Sequence, residues 1–132
     1  LAGGGTFRLG EARGRVVVLD FWASWCGPCL KALPELMAAL KELPSDQVRL
    51  VGVNQAEPEA QVTAFLQTRR WELVTALDAE QAVARQFGVE GIPHTVVIGP
   101  DGKVALVKTG YSATAAREVV EKARELLRAA GK

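Results

Sequence analysis

Short apolar runs alternate with helical stripes along the 132 residues of the chain. Val16–Trp22 is β-branched and apolar except at Asp20, the pattern of a strand buried on both faces. From about Cys26 to Leu43 the apolar positions Leu30, Leu33, Met37 and Leu40 form a helical stripe, and Pro34 inside it predicts a kink. Val48–Val53 reads as a second buried strand. Pro58 suits the first turn of a helix that Val62, Phe65 and Leu66 continue to about Arg70. Trp71–Leu77 is read as partly extended, and Asp78 as the cap of a short helix that runs through Phe87 and stops at Gly88. Thr95–Ile98 and Lys103–Thr109 are strands joined by the turn Gly99-Pro100-Asp101-Gly102. Ser112 is placed to cap a last helix whose stripe is Ala116, Val119, Val120, Ala123, Leu127 and Ala130. Ahead of all these, Thr6–Leu9 is a candidate edge strand in a stretch rich in Gly and Arg.

The resulting order is β-α-β-α-(β)-α-β-β-α, an α/β chain. The early β-α-β predicts a parallel pair and the late hairpin an antiparallel edge, hence a mixed sheet flanked by helices. No repeat or low-complexity linker divides the chain, so residues 1–132 are read as a single domain. Hydrophobic residues make up 48% and charged residues 23%, which excludes disorder. Sixteen Lys and Arg face fifteen Asp and Glu with no basic block, which argues against nucleic-acid binding. No segment approaches the roughly 20 apolar residues of a membrane span. The chain starts at Leu1 with no secretory leader ahead of the first strand, so any anchor or export signal would precede it.

Two cysteines make one bridge at most, so their interest is chemical. Trp25-Cys26-Gly27-Pro28-Cys29 lies between a buried strand and a helix start. Disulfide exchange needs a thiolate, and the free N–H groups and macrodipole of a helix N-terminus stabilise negative charge there. Cys26 should therefore be the exposed nucleophile of lowered pKa. Cys29, one helical turn on, should be the buried thiol that resolves a mixed disulfide. Pro28 fits the first turn because its missing N–H would be unpaired anyway. Trp22 and Trp25 flank the loop and wall one side of the site. A zinc site would need about four ligands, and a purely structural bridge over so short a loop removes little unfolded-state entropy.

The segment Asp20-Phe21-Trp22-Ala23-Ser24-Trp25-Cys26-Gly27-Pro28-Cys29 resembles the active-site segment of the thioredoxin superfamily. Pro34 matches that family's helix-kinking proline, Gly91-Ile92-Pro93 its cis-proline loop, and Gly110 the glycine before its terminal helix. Val51-Gly52-Val53-Asn54, the helical insert after it, and Pro93-His94-Thr95-Val96-Val97-Ile98 with Asp101-Gly102 resemble the TlpA/ResA/CcmG type within the redoxin or AhpC-TSA-like group. Departures are visible: Asp20 stands where the extracytoplasmic group often has Asn, and Gly-Pro between the cysteines is the common thioredoxin pair. Ala23 and Leu19 occupy positions upstream of Cys26 where peroxidase relatives need Pro and Thr, so peroxide chemistry is not carried over.

The resemblance implies a thioredoxin fold with a helical insert between its βαβ and ββα halves. It implies a thiol–disulfide oxidoreductase that needs no cofactor beyond the Cys26–Cys29 pair and binds no metal. Asp20 is then a buried proton shuttle for Cys29, against the alternative of a strand-end residue facing solvent. Glu57 is either an acid near the cysteines or a helix N-terminal carboxylate beside Pro58. Trp25, Gly27, Pro28, Ile92 and Pro93 form the substrate-docking surface, with a cis Ile92–Pro93 bond turning the Ile92 backbone toward an extended substrate. His94 is an ordinary loop residue, Trp71 a core or anchor residue, and Lys31 a solvated helix residue. Gly-Pro and the Ile before Pro93 resemble reducing members, near about −270 mV rather than about −120 mV. The expected partners are disulfide-containing proteins and an upstream thiol donor. The expected setting is extracytoplasmic, with cytochrome c maturation as one role, and the expected state is a monomer without nucleic acid. The alternatives are a redox-inert binding module of the same fold and, behind it, a thiol peroxidase.

Overall fold

Val16–Trp22 forms strand β1 at the middle of the sheet, and each of its seven residues is buried. The computed structural model describes residues 1–131. Helix α1 (Gly27–Leu40) follows, then β2 (Val48–Gln55), α2 (Glu59–Arg69), β3 (Thr75–Asp78), α3 (Ala82–Gln86), β4 (His94–Ile98), β5 (Val104–Thr109) and α4 (Ala115–Ala129). The sheet order is β3-β2-β1-β4-β5. β1 runs parallel to β2, and β2 to β3, while β4 is antiparallel to both β1 and β5. A crossover helix between β1 and β2 and a hairpin between β4 and β5 give that mixture. This is the mixed sheet that the sequence pattern predicts, with the helical insert that the resemblance implies.

The period of two along β1 sorts its side chains between two cores. Val16 and Val18 face α1 and α4, where Leu36, Val119, Val120 and Ala123 cover them. Val17, Leu19 and Phe21 face the other way, onto Ala84 of α3 and Phe7 and Ala12 of the N-terminal segment. A third cluster gathers at the C-terminal end of β1, where Trp22, Leu33 and Val62 enclose the two cysteines. Trp22, Phe65 and Trp71 pack there with ring centroids 5.5–6.0 Å apart, so the half-buried Trp71 anchors against this core from its edge. Gly52 of β2 is required by this packing. A Cβ there would stand 2.8 Å from Trp22 Nε1 and 3.0 Å from Leu73 Cδ2, so only glycine lets the indole close over the strand.

Four local readings are corrected. Thr6–Leu9 is not a strand: residues 9–12 form a 3₁₀ turn, and Phe7 is held by its side chain against the second core. Among the described residues no partner strand lies beside that segment, and an unpaired strand has no ladder to gain. α1 ends at Leu40, and the next three N–H groups make i to i−3 bonds that tighten the chain into a turn. Pro58 sits just outside α2, at its N-cap. Thr114 rather than Ser112 is the N-cap of α4, and the Ser112 hydroxyl accepts from the Thr114 N–H in the turn before it. The cap of α3 is positioned differently from its expected form. Gln81 holds the cap position, yet the Asp78 carboxylate accepts from the Val83 and Ala84 N–H groups at 3.1 and 2.9 Å. Asp78 thus performs the capping chemistry from the end of β3.

Candidate active site

β1 delivers the chain to the N-terminus of α1, and the two cysteines occupy the junction. Cys26 is the N-cap of α1 and Pro28 lies in its first turn. The Cys29 backbone N–H donates to Cys26 Sγ at 3.2 Å. That bond and the helix dipole both act on Cys26 Sγ and favour its anion once the pair is reduced. Cys26 and Cys29 form a disulfide with their Cα atoms 5.3 Å apart. Cys26 is less exposed than expected: 4% of its surface is accessible, against none for Cys29. The third apolar cluster includes both cysteines, and of the two only Cys26 keeps a small accessible surface.

The Ile92–Pro93 bond is cis, as the resemblance implies. Ile92 packs on the cluster that contains both cysteines. The Gly110 N–H donates to the Pro93 carbonyl at 2.8 Å and ties this loop to the turn before α4. Trp25, 71% exposed, and Ile92 line a common groove of about 350 Å³ with Gln55, Gln81, Arg85 and Glu90. Gly27 and Pro28 are exposed beside it on α1 and do not line it.

Asp20 is 1% exposed, on the face of β1 that α1 and α4 cover, so it does not point to solvent. Register places it between Gly52 and Thr95. The Thr95 hydroxyl donates to Oδ1 at 2.8 Å, while the buried Oδ2 has no partner among the described residues. Burial pushes the carboxyl up to about 7, and the single Thr95 bond opposes this only in part. A carboxyl so poised exchanges a proton readily at neutral pH.

Glu57 has the opposite environment. Its Oε1 accepts from the Ser24 N–H and the Asn54 amide, each at 2.8 Å. Its Oε2 accepts from the Ser24 hydroxyl and from Gln61 Nε2. Burial alone would raise its pKa, but the bonds from Ser24, Asn54 and Gln61 outweigh it and hold the carboxyl below the usual 4.5. An anion saturated with donors is a clamp: it fixes Ser24, two residues before Cys26. Because the folded pKa is depressed, the stability Glu57 contributes is present above 4.5 and lost as pH falls through its folded value. Glu57→Gln should cost about 1.5–3 kcal/mol at pH 7, the range for hydrogen bonds to a charged group. In urea titrations that deficit should close below pH 4.5. A deficit independent of pH would show that the anion is not what holds the turn.

His94 is corrected from a loop residue to the first residue of β4, buried beside Phe21 with ring centroids 5.8 Å apart. Burial lowers its pKa. Lys31 sits with Nζ 4.6 Å from the Tyr111 ring centroid. No cluster of three metal-ligating side chains occurs among the described residues. Thr95, Ser24 and Asn54 were not singled out by sequence. Only the Glu57–Gln61 spacing, four residues at a helix start, carried a signal for that network.

The AhpC/TSA family model matches residues 1–107. The chain is 34% identical over 107 residues to the thiol-disulfide oxidoreductase ResA of Bacillus subtilis, covering 81% of this chain and 60% of that protein. It thus spans less than two thirds of this relative's length. Among solved structures, StoA from Bacillus subtilis aligns with a TM-score of 0.72 at 27% identity over 83% of each chain. The exposed lipoprotein thioredoxin Etrx1 of Streptococcus pneumoniae aligns with a TM-score of 0.82 at 26% identity over 95% of each.

Proposed function

This chain belongs to the AhpC/TSA family, and from that premise we propose that it is a thiol–disulfide oxidoreductase that reduces protein disulfides. The observation that carries the reading is the Cys26–Cys29 disulfide at the N-terminus of α1, packed with Ile92 of the cis-proline loop. In the reduced protein the Cys26 thiolate attacks one sulfur of a substrate disulfide. A mixed disulfide forms, and the other substrate sulfur leaves as a thiolate. Cys29 gives its proton through a water to the Asp20 carboxylate, and its thiolate attacks Cys26 Sγ. The second substrate thiolate departs, and the Cys26–Cys29 disulfide is regenerated for an upstream dithiol donor. No other redox cofactor takes part. Trp25 and Ile92 hold the substrate segment, with Gly27, Pro28 and Pro93 at its edge, and Glu57 serves as a positioning residue for the turn.

The whole unit acts as one thioredoxin-like domain, a monomer in this reading. Its place is extracytoplasmic, and reduction of cysteines during cytochrome c maturation is one role that fits. The likeness to an exposed lipoprotein thioredoxin supports that setting, and no helix among the described residues is long and apolar enough to cross a membrane. The test is insulin reduction by dithiothreitol. The protein should accelerate precipitation of the insulin chains, and Cys26→Ser should return it to the uncatalysed rate. A wild type with no acceleration would indicate a redox-inert binding module. Thiol-dependent peroxide consumption as fast as insulin reduction would indicate a peroxidase.

A further inference from the structure

Beneath the cis-proline loop, a cavity of about 20 Å³ separates β1 from α1 and α4. Asp20 lies at its inner end and Glu35, on the exposed face of α1, at its outer end. Pro93, Thr95, Ser112 and Ala116 of α4 also line it. We propose that this cavity is a proton passage, in which one water carries the Asp20 proton to the Glu35 carboxylate and so to solvent. The inference rests on the reading of Asp20 as the proton acceptor for Cys29.

Three observations support it. First, the volume suffices for a water, which needs about 10–15 Å³ of such space. Second, Asp20 lines the cavity, and its Oδ2 is buried and without a partner among the described residues while Oδ1 is engaged by Thr95, so one acceptor oxygen is left for a water. Third, Glu35 is held in place: the Tyr111 hydroxyl donates to both of its oxygens, at 3.0 Å to Oε2 and 3.2 Å to Oε1. Lys31, stacked over the Tyr111 ring, holds the tyrosine in turn. Among the described residues Glu35 is the one charged group besides Asp20 that lines the cavity; β4 offers Thr95 and α4 only apolar side chains.

Each turnover then closes its proton balance. Cys29 loses one proton to the Asp20 carboxylate as its thiolate forms. The Asp20 carboxyl passes that proton to the water, which hands one on to Glu35, and Glu35 releases it to bulk buffer. Without such an exit, a buried carboxyl would stay protonated and could not accept from Cys29 in the next cycle.

Stopped-flow measurement of mixed-disulfide resolution at pH 7 in dilute buffer tests this. Glu35→Gln should slow resolution about fivefold, and added imidazole or formate should restore the rate, whereas the wild type should be indifferent to buffer concentration. Ala116→Leu, which fills the cavity, should slow resolution without rescue. Should that variant fail to fold, Ala116→Val replaces it. Asp20→Asn measured alongside separates the two readings. A slow Asp20→Asn with a Glu35→Gln that equals the wild type, or that buffer does not rescue, overturns the passage but leaves Asp20 as acceptor. An Asp20→Asn that resolves at the wild-type rate removes the acceptor itself.

Discussion

Cys29→Ser should turn the protein from a reductase into a trap. Serine is nearly isosteric, and the backbone N–H of residue 29 would still donate to Cys26 Sγ. Cys26 therefore keeps its helix N-terminus and remains a nucleophile toward disulfides. The hydroxyl that replaces the resolving thiol has far too high a pKa to form an attacking anion, so the mixed disulfide should persist. Insulin turnover should fall at least roughly 10³-fold, the scale seen when one member of a concerted nucleophilic unit is lost. Intact-mass spectrometry should show a single covalent adduct per chain with a disulfide substrate. Limiting iodoacetamide at neutral pH should label Cys26 first in the reduced wild type, since only Cys26 retains accessible surface. Adducts on Cys29 in a Cys26→Ser protein, formed as fast as those on Cys26, would reverse the assignment of the two thiols.

Asp20→Asn should separate activity from stability. The folded carboxyl titrates at about 7, above its ordinary 3.8, because burial disfavours the anion. Between those values the folded state binds more proton than the unfolded state, so stability falls as pH rises from 3.8 to about 7 and stays reduced above it. The full shift corresponds to a ceiling of about 4 kcal/mol, at 1.36 kcal/mol per pKa unit. Asparagine has no charge to bury and keeps an oxygen for the Thr95 hydroxyl, so the variant should gain stability above pH 4 and the gain should level off beyond 7. Resolution of the mixed disulfide should slow by roughly 10²-fold at pH 7 and lose its inflection there, the usual scale for one general base. Unchanged kinetics with a lower urea midpoint would make Asp20 a structural partner of Thr95 and nothing more.

These expectations differ in how much the chain alone discloses. The CxxC chemistry is legible because its parts lie within one helical turn: strand end, N-cap, Pro28 and the second sulfur are all local. The same holds for β1, the hairpin of β4 and β5 and the stripe of α4, whose periods are written over five to fifteen residues. Thr6–Leu9 failed for the complementary reason, since a strand exists only where another strand lies beside it.

The amino-acid order by itself determined the α/β class, the sheet's two kinds of pairing, the helix-start dithiol and an apolar strand with one carboxylate in it. Tertiary structure decided what that carboxylate is. Register set Asp20 beside Thr95, on the wall of a water-sized cavity, and left one of its oxygens without a partner among the described residues. It also gathered Ser24 of the turn after β1, Asn54 of β2 and Gln61 of α2 onto Glu57, making an anion of the one acid and a near-neutral group of the other. The physical reason is that a carboxyl's pKa is set by the balance between lost water and gained donors. Those donors come from residues up to 75 positions away, placed by a sheet register in which a one-residue slip would exchange the two faces of every strand.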